Sequence, residues 1–321
     1  MTDARAWWPL YAALVCVVTL GSAAHAQPYP SRPIRLIVST APGSGSDIIA
    51  RLISVRLSEY LGQQIVVDNR AGASGMIGAE TVARATPDGH TFWMPTLSSL
   101  ISTTSANRLH LAKEYAPIGL VAATPFVIVV SGTLPVKSIA ELIAYAKAKP
   151  GQLMYASGGT WTSTHVCVEL LQQMAGLKML HVPYKGLGVA MADLMSGQVQ
   201  LACPPAPTMT VLPAGKVRVI GVTSLKLSQL APGVPPIADT LAGYEMPGWY
   251  GAVAPRGTPK IIVARLNQEL ARTVSSPDIR EKLLAAGAEP SMSSPEDFTA
   301  FLIRESQRLV KLFSDAGVTA K

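Results

Sequence analysis

The sequence predicts an α/β protein of two domains, each a sheet flanked by helices. Three observations lead there. Short apolar runs rich in branched residues alternate with segments of helical spacing. The alternation comes in two similar sets, over residues 33–94 and 126–222. The chain has 321 residues, and at about 150 residues per domain that length suggests two.

The first segment is an address. Arg5 and the free amine precede an apolar run, Leu10 to Leu20, and then Ala24-His25-Ala26. This small-x-small pattern predicts a signal peptide, 1–26, cleaved after Ala26. The run is shorter than the roughly 20 apolar residues that span a bilayer. Val15 before Cys16 is too bulky for a lipid-anchor signal. The expected mature chain is 27–321, exported to the periplasm.

Pro33–Ser39 predicts a strand, and Ala41-Pro42-Gly43-Ser44-Gly45-Ser46 a turn-rich loop. Ser46 or Asp47 is expected to cap a helix to about Leu61, with Ile49, Leu52, Ile53, Leu57 and Tyr60 at helical spacing. Gln64–Asp68 is the next strand, Met76–Arg84 a helix, and Thr91–Met94 a strand. This order predicts a parallel sheet. The second set opens with strand Phe126–Ser131 and helix Ile139–Lys147, capped by Ser138. Strand Leu153–Ala156, loop Ser157–Thr162 and helix Ser163–Met174 follow. Then come strand Leu180–Val182, helix Gly188–Ser196, and strands Val199–Ala202 and Val217–Val222. Strand Trp249–Ala254 and helices Pro259–Ser275 and Pro295–Ala316 return the chain to the first unit. The expected domains are 27–123 plus 224–321, and 124–223.

Composition narrows the function. Hydrophobic residues make up 49% and charged residues 15%, against a typical charged share of about 25%. A disordered chain is excluded. The formal net charge of +7 suits anionic ligands as well as nucleic acid or membrane surfaces. Export and the dispersed basic residues argue against nucleic acid. No G-x-S-x-G elbow, P-loop or H-E-x-x-H occurs, and Ile48 stands where a dinucleotide fingerprint needs its third glycine. His165 and Glu169 share a helix face but lack further metal ligands. No metal, cofactor or catalytic residue is therefore expected. Cys167 and Cys203 are the mature cysteines. Export permits a disulfide, but a chain this long needs no staple. Two small apolar core residues is the favoured reading, with pairing left open.

Two glycine- and hydroxyl-rich loops, Ser39–Asp47 and Ala156–Ser163, each join a strand to a helix. A helix start offers unpaired N–H groups and a positive dipole end, which together favour an anion. Two such loops on facing domains suit the two ends of a small dianion. Lys185, in a loop after a strand, is a candidate for added positive charge. Trp161 is a candidate for stacking on a flat ligand, or else covers the core edge. Thr96, Leu97 and Ser98 are candidate cleft residues.

Seven segments in order resemble one family. They are Tyr29–Arg35, Ala41–Asp47, Val67–Gly75 with Ile77–Ala79, Ala85–Thr91, Tyr155–Gly159 with Thr162–His165, His181–Gly186 and Ala254–Pro259. Over the whole mature chain the sequence resembles the Bug-type receptors, the periplasmic solute-binding proteins of tripartite tricarboxylate transporters. The resemblance implies a type II-like periplasmic binding protein, with a ligand cleft between domains joined by strands crossing near Thr124 and Thr223. It implies that Ala41, Gly43, Ser44, Gly45, Ser46 and Asp47 hold one carboxylate end. It places Ser157, Gly158, Gly159, Thr160, Thr162 and His165 at the other. Asp47 is expected to cap its helix rather than meet the anion, since like charges repel. Ser39-Thr40 stands where the family usually has Pro-Phe, Trp161 where it has a small residue, and Cys203-Pro204-Pro205 where an Asp is common. The last departure argues against amino-acid ligands. The expected partners are a small organic carboxylate and membrane permease subunits, and the expected state is a monomer. A ligand sensor and a periplasmic hydrolase or isomerase are the rival readings. Permease or sensor-kinase genes alongside would separate the first two, and an enzyme needs a nucleophile–base pair that the sequence does not display.

Overall fold

A computed structural model describes residues 29–105, 110–206, 208 and 215–315. The signal segment 1–26 lies outside the described residues. Two sheets form the frame. In the first, strands β1 (Ile34–Val38), β2 (Ile65–Asn69), β3 (Thr91–Met94), β4 (Tyr115–Pro125), β10 (Pro247–Pro255) and β11 (Glu289–Pro290) lie in the order β11-β4-β10-β3-β1-β2. In the second, β5 (Val127–Ser131), β6 (Met154–Ser157), β7 (Leu180–Pro183), β8 (Leu201–Ala202) and β9 (Val217–Val222) lie in the order β7-β6-β8-β5-β9.

The parallel arrangement predicted for the first three strands is present, but neither sheet is parallel throughout. β1, β2 and β3 are parallel, as are β6, β7 and β8. β10 runs antiparallel to β3 and β4, and β5 antiparallel to β8 and β9. The reversal follows from connectivity. β4 leads the chain out of the first sheet into β5, and the segment after β9 brings it back to β10. The two passages bond to each other. Phe126 N–H donates to Thr223 Oγ1 at 2.9 Å, and Thr223 N–H to the Phe126 carbonyl at 3.0 Å. Thr223 is fully buried and its hydroxyl donates on to the Met246 carbonyl.

Helices α1 (Gly45–Leu61), α2 (Met76–Ala83), α3 (Leu97–Ser105), α4 (Leu111–Glu114), α8 (Lys260–Ser275), α9 (Pro277–Ala285) and α10 (Pro295–Asp315) accompany the first sheet. Helices α5 (Ile139–Ala148), α6 (Ser163–Ala175) and α7 (Leu187–Ser196) accompany the second. Ile34, Leu36, Val38 and Ile49 fill one apolar layer on the first sheet, while Ala156, Ala190, Leu194 and Val222 fill one on the second. A third cluster runs from one sheet to the other, taking in Trp93 and Phe298 together with Val130, Tyr155 and Leu171.

Two expectations fail locally. The cap of α1 is Ser44, whose side chain accepts from Asp47 N–H, rather than Ser46 or Asp47. Cys167 of α6 and Cys203 after β8 form a disulfide with Cα atoms 6.4 Å apart. Both are fully buried, as core residues should be, but they share one apolar cluster, and that brings the sulfurs together. The bridge spans a separation of 36 residues, which by chain entropy contributes on the order of 3–4 kcal/mol. No helix among the described residues is long and apolar enough to cross a membrane.

Candidate functional site

The helices that follow parallel strands begin at the carboxyl edge of each sheet, where open α/β sheets bind ligands. β1 feeds α1 through the first loop. There Thr40 Oγ1 lies 2.5 Å from Ser44 Oγ and 2.6 Å from Ser46 Oγ, so three hydroxyls share their hydrogens. Asp47 lies beneath them and is nearly fully buried. Its carboxylate accepts from Gly43 N–H at 2.9 Å, from Asn69 Nδ2 at 2.9 Å and from Arg51 Nε at 3.0 Å. Burial alone would raise the pKa of Asp47, but the Arg51, Gly43 and Asn69 hydrogen bonds hold it below the usual carboxylate range. Asp47 thus braces the loop as an anion, and Arg51 and the Gly43 amide are committed to it. Ala41 and Gly43 are exposed. The amides of Gly45 and Ser46, in the first turn of α1, have no acceptor among the described residues. These are the donors an anion would meet.

β6 feeds α6 through the second loop, and most of that loop is held by itself. Gly158 N–H donates to Thr164 Oγ1 at 2.9 Å, and Gly159 N–H to Ser157 Oγ at 3.1 Å. Thr162 Oγ1 donates to the Gly159 carbonyl at 2.7 Å. Ser157 Oγ lies 2.6 Å from His181 Nε2. The His181 ring stacks on His165 at 4.1 Å between centroids, and His165 Nδ1 accepts from Trp161 N–H at 3.3 Å. Burial pushes both imidazoles down to about 4, with the neighbouring ring adding to the effect on His181. Both are neutral at pH 7 and supply no cation. His165 is nearly buried, packed between the Trp161 amide and the His181 ring. Thr160 is exposed and Lys185 is an exposed loop residue.

Trp161 has φ +62°, in the left-handed region that side chains occupy at a cost of about 1–2 kcal/mol. Its indole meets Phe313 of α10 edge-on at 5.2 Å and His165 at 5.8 Å, so it covers the edge of the core. The same loop clasps the first lobe. Ser74 Oγ donates to the Thr160 carbonyl at 3.2 Å, Ser102 Oγ to the Trp161 carbonyl at 3.3 Å, and Ser163 N–H to Ser98 Oγ at 3.0 Å. The clasping roles of Ser74 and Ser102 leave no signal in the sequence, because a serine's spatial partner has no local trace. Ser98, by contrast, is a cleft candidate in the sequence. Among the described residues no three His, Cys, Asp or Glu cluster as metal ligands. The arrangement offers neutral donors at the carboxyl edges of both sheets. It suits binding a small anion through hydroxyls and amides.

Residues 49–318 match the family described as tripartite tricarboxylate transporter family receptor. The chain belongs to this receptor family. Among its relatives, BugT of Bordetella pertussis is 31% identical over 317 residues, covering 96% of this chain and 97% of that protein. An R. palustris protein solved with adipate is 36% identical with a TM-score of 0.83, covering 91% of this chain and 99% of that one. MatC of Rhodopseudomonas palustris, solved with bound malate, is 28% identical with a TM-score of 0.80 and covers 88% and 99%. The Bug-type resemblance and the two-domain binding-protein fold are both borne out. In this receptor the first lobe presents unengaged amides, and the second presents a loop already tied into a lattice of its own.

Proposed function

We propose that this receptor captures a small organic carboxylate between its two lobes in the periplasm and delivers it to membrane permease subunits. It acts as a monomer, after cleavage behind Ala26. The lobes are 27–123 plus 224–321 and 124–223, hinged where Phe126 and Thr223 bond. The observation that carries the reading is the pair of unengaged amides, Gly45 and Ser46, beside the Thr40–Ser44–Ser46 hydroxyls. A buried carboxylate without donors is too costly, and this pair supplies them. The adipate and malate bound to relatives support a dicarboxylate of similar length. The ligand's far end meets the second loop, with Thr160 its most exposed member. Ala41, Gly43 and Asp47 shape the first loop, and Ser157, Gly158, Gly159, Thr162 and His165 shape the second. Trp161 latches that loop to α10, and Lys185 adds charge at the rim.

A hydrolase is disfavoured. The hydroxyl–imidazole pair Ser157 and His181 has no exposed serine surface, and among the described residues no carboxylate hydrogen-bonds the His181 ring. A thermal-shift panel of aliphatic C4–C6 dicarboxylates, tricarboxylates and aromatic acids tests the proposal. A ligand at about 100 times its Kd adds ~2.7 kcal/mol, a shift of several degrees. A shift confined to aliphatic dicarboxylates supports the reading, and a flat panel on ligand-free protein rejects it.

A further inference from the structure

Tyr250 lies on β10, and β10 carries no loop of the site. Its position is nevertheless fixed beside the first loop. Tyr250 forms an isolated bridge with Thr96, and the next residue, Gly251, donates its N–H to the Pro95 carbonyl at 3.0 Å. The ring is 4% exposed and packs in the apolar layer of the first sheet. The hydroxyl, by contrast, has no hydrogen-bond partner among the described residues, and it reaches α1. A Cβ built on Gly45 would stand 2.9 Å from Tyr250 Oη. Only glycine at that position lets the phenol tip come so close. Burial pushes the phenol pKa up, so the group is a donor throughout the physiological range.

The Tyr250 hydroxyl thus lies against Gly45, in the first turn of α1 where the Gly45 and Ser46 amides have no acceptor among the described residues. The phenol ring is buried, but its hydroxyl is not sealed from solvent, so it is open to a ligand. We propose that Tyr250 is a ligand-contacting residue whose hydroxyl donates to the carboxylate held at the α1 N-terminus. This rests on the carboxylate reading above and adds to it a donor from outside both loops. Because the phenol is fixed by β10 while the loop hydroxyls can rotate, Tyr250 sets where in the first lobe the carboxylate must sit. A site built to hydrogen-bond its ligand loses affinity when that donor is removed, while the apolar ring keeps its packing.

The test is calorimetric titration of C4–C6 dicarboxylates into the wild type and Tyr250→Phe, with melting curves of both unliganded proteins. We expect Tyr250→Phe to melt close to the wild type, since the hydroxyl bonds no group among the described residues, and to bind the same dicarboxylate roughly tenfold or more weakly. Gly45→Ala, which forces the phenol tip away, should weaken binding in the same direction. Unchanged affinity in Tyr250→Phe overturns the role of Tyr250 while leaving the receptor reading intact. A large fall in the unliganded melting temperature overturns it too, because the hydroxyl would then serve the fold. If the wild type itself binds no carboxylate, the receptor reading fails and this inference fails with it.

Discussion

Ser46 carries two functions at once: its hydroxyl completes the set shared with Thr40, and its amide opens α1 without an acceptor. Thr162 stands at the N-cap position of α6, as Ser44 does in α1, and its hydroxyl already donates to the Gly159 carbonyl. Ser46→Ala should therefore weaken carboxylate binding by about 1.5–3 kcal/mol, the range for a hydrogen bond to a charged group. Thr162→Ala should act mainly on loop stability and weaken binding less. Titration of the two variants checks this, and equal losses would place the anion against both hydroxyls alike. At this scale the sequence displays residue types but not their engagements. Gly43 and Gly159 look like free donors in the sequence, yet Asp47 and Ser157 occupy their amides. Tyr250 is invisible there, because its relation to Gly45 is purely spatial.

The second loop depends on an element behind it, the stacked pair of His181 from β7 and His165 from α6. Tyr155 stacks on His181 at 5.0 Å, and its hydroxyl donates to Glu169, whose carboxylate stands 3.9 Å from His165 Nε2. These are the groups facing the pair. Both imidazole pKa values are lowered to about 4, whereas in the unfolded chain they return to ~6.5. Between those values the unfolded chain binds more protons, so stability rises with pH and is lost as pH falls toward 4. The loss is on the order of 3 kcal/mol for each ring that must charge. Melting temperature should thus drop on acidification from pH 7 to 4.5, and less steeply in His181→Gln. Identical slopes would show that the pair is not the sensor. Elements with strong periodicity are legible: β3 and β9 fall at their expected bounds. α3 and β4 are not. Leu97–Ser105 is dominated by serine and threonine, which are weak helix formers. Tyr115–Pro125 contains Pro117 and Gly119, and its pairing with β10 is interrupted by register shifts, so no period of two survives.

At the scale of the molecule, an apolar cluster and a set of hydroxyl contacts join the lobes. Ser74, Ser98 and Ser102 on one side meet Thr160, Trp161 and Ser163 on the other, and Phe313 of α10 closes on Trp161. The loop that would meet the ligand's far end is therefore the loop that clasps the first lobe. Ligand binding and lobe closure then share the same residues, and a ligand that favours this arrangement favours closure by its differential affinity. The alternation of strands and helices makes the two-lobed architecture legible in the sequence. The antiparallel strands are not legible, because chain direction at a crossing leaves no local trace. The most direct measurement is a crystal structure with the dicarboxylate that stabilises the protein most. One carboxylate is expected on the Gly45 and Ser46 amides with Tyr250 Oη in contact, and the other end against the second loop near Thr160. A dicarboxylate bound elsewhere, with those amides still unengaged, would contradict this placement.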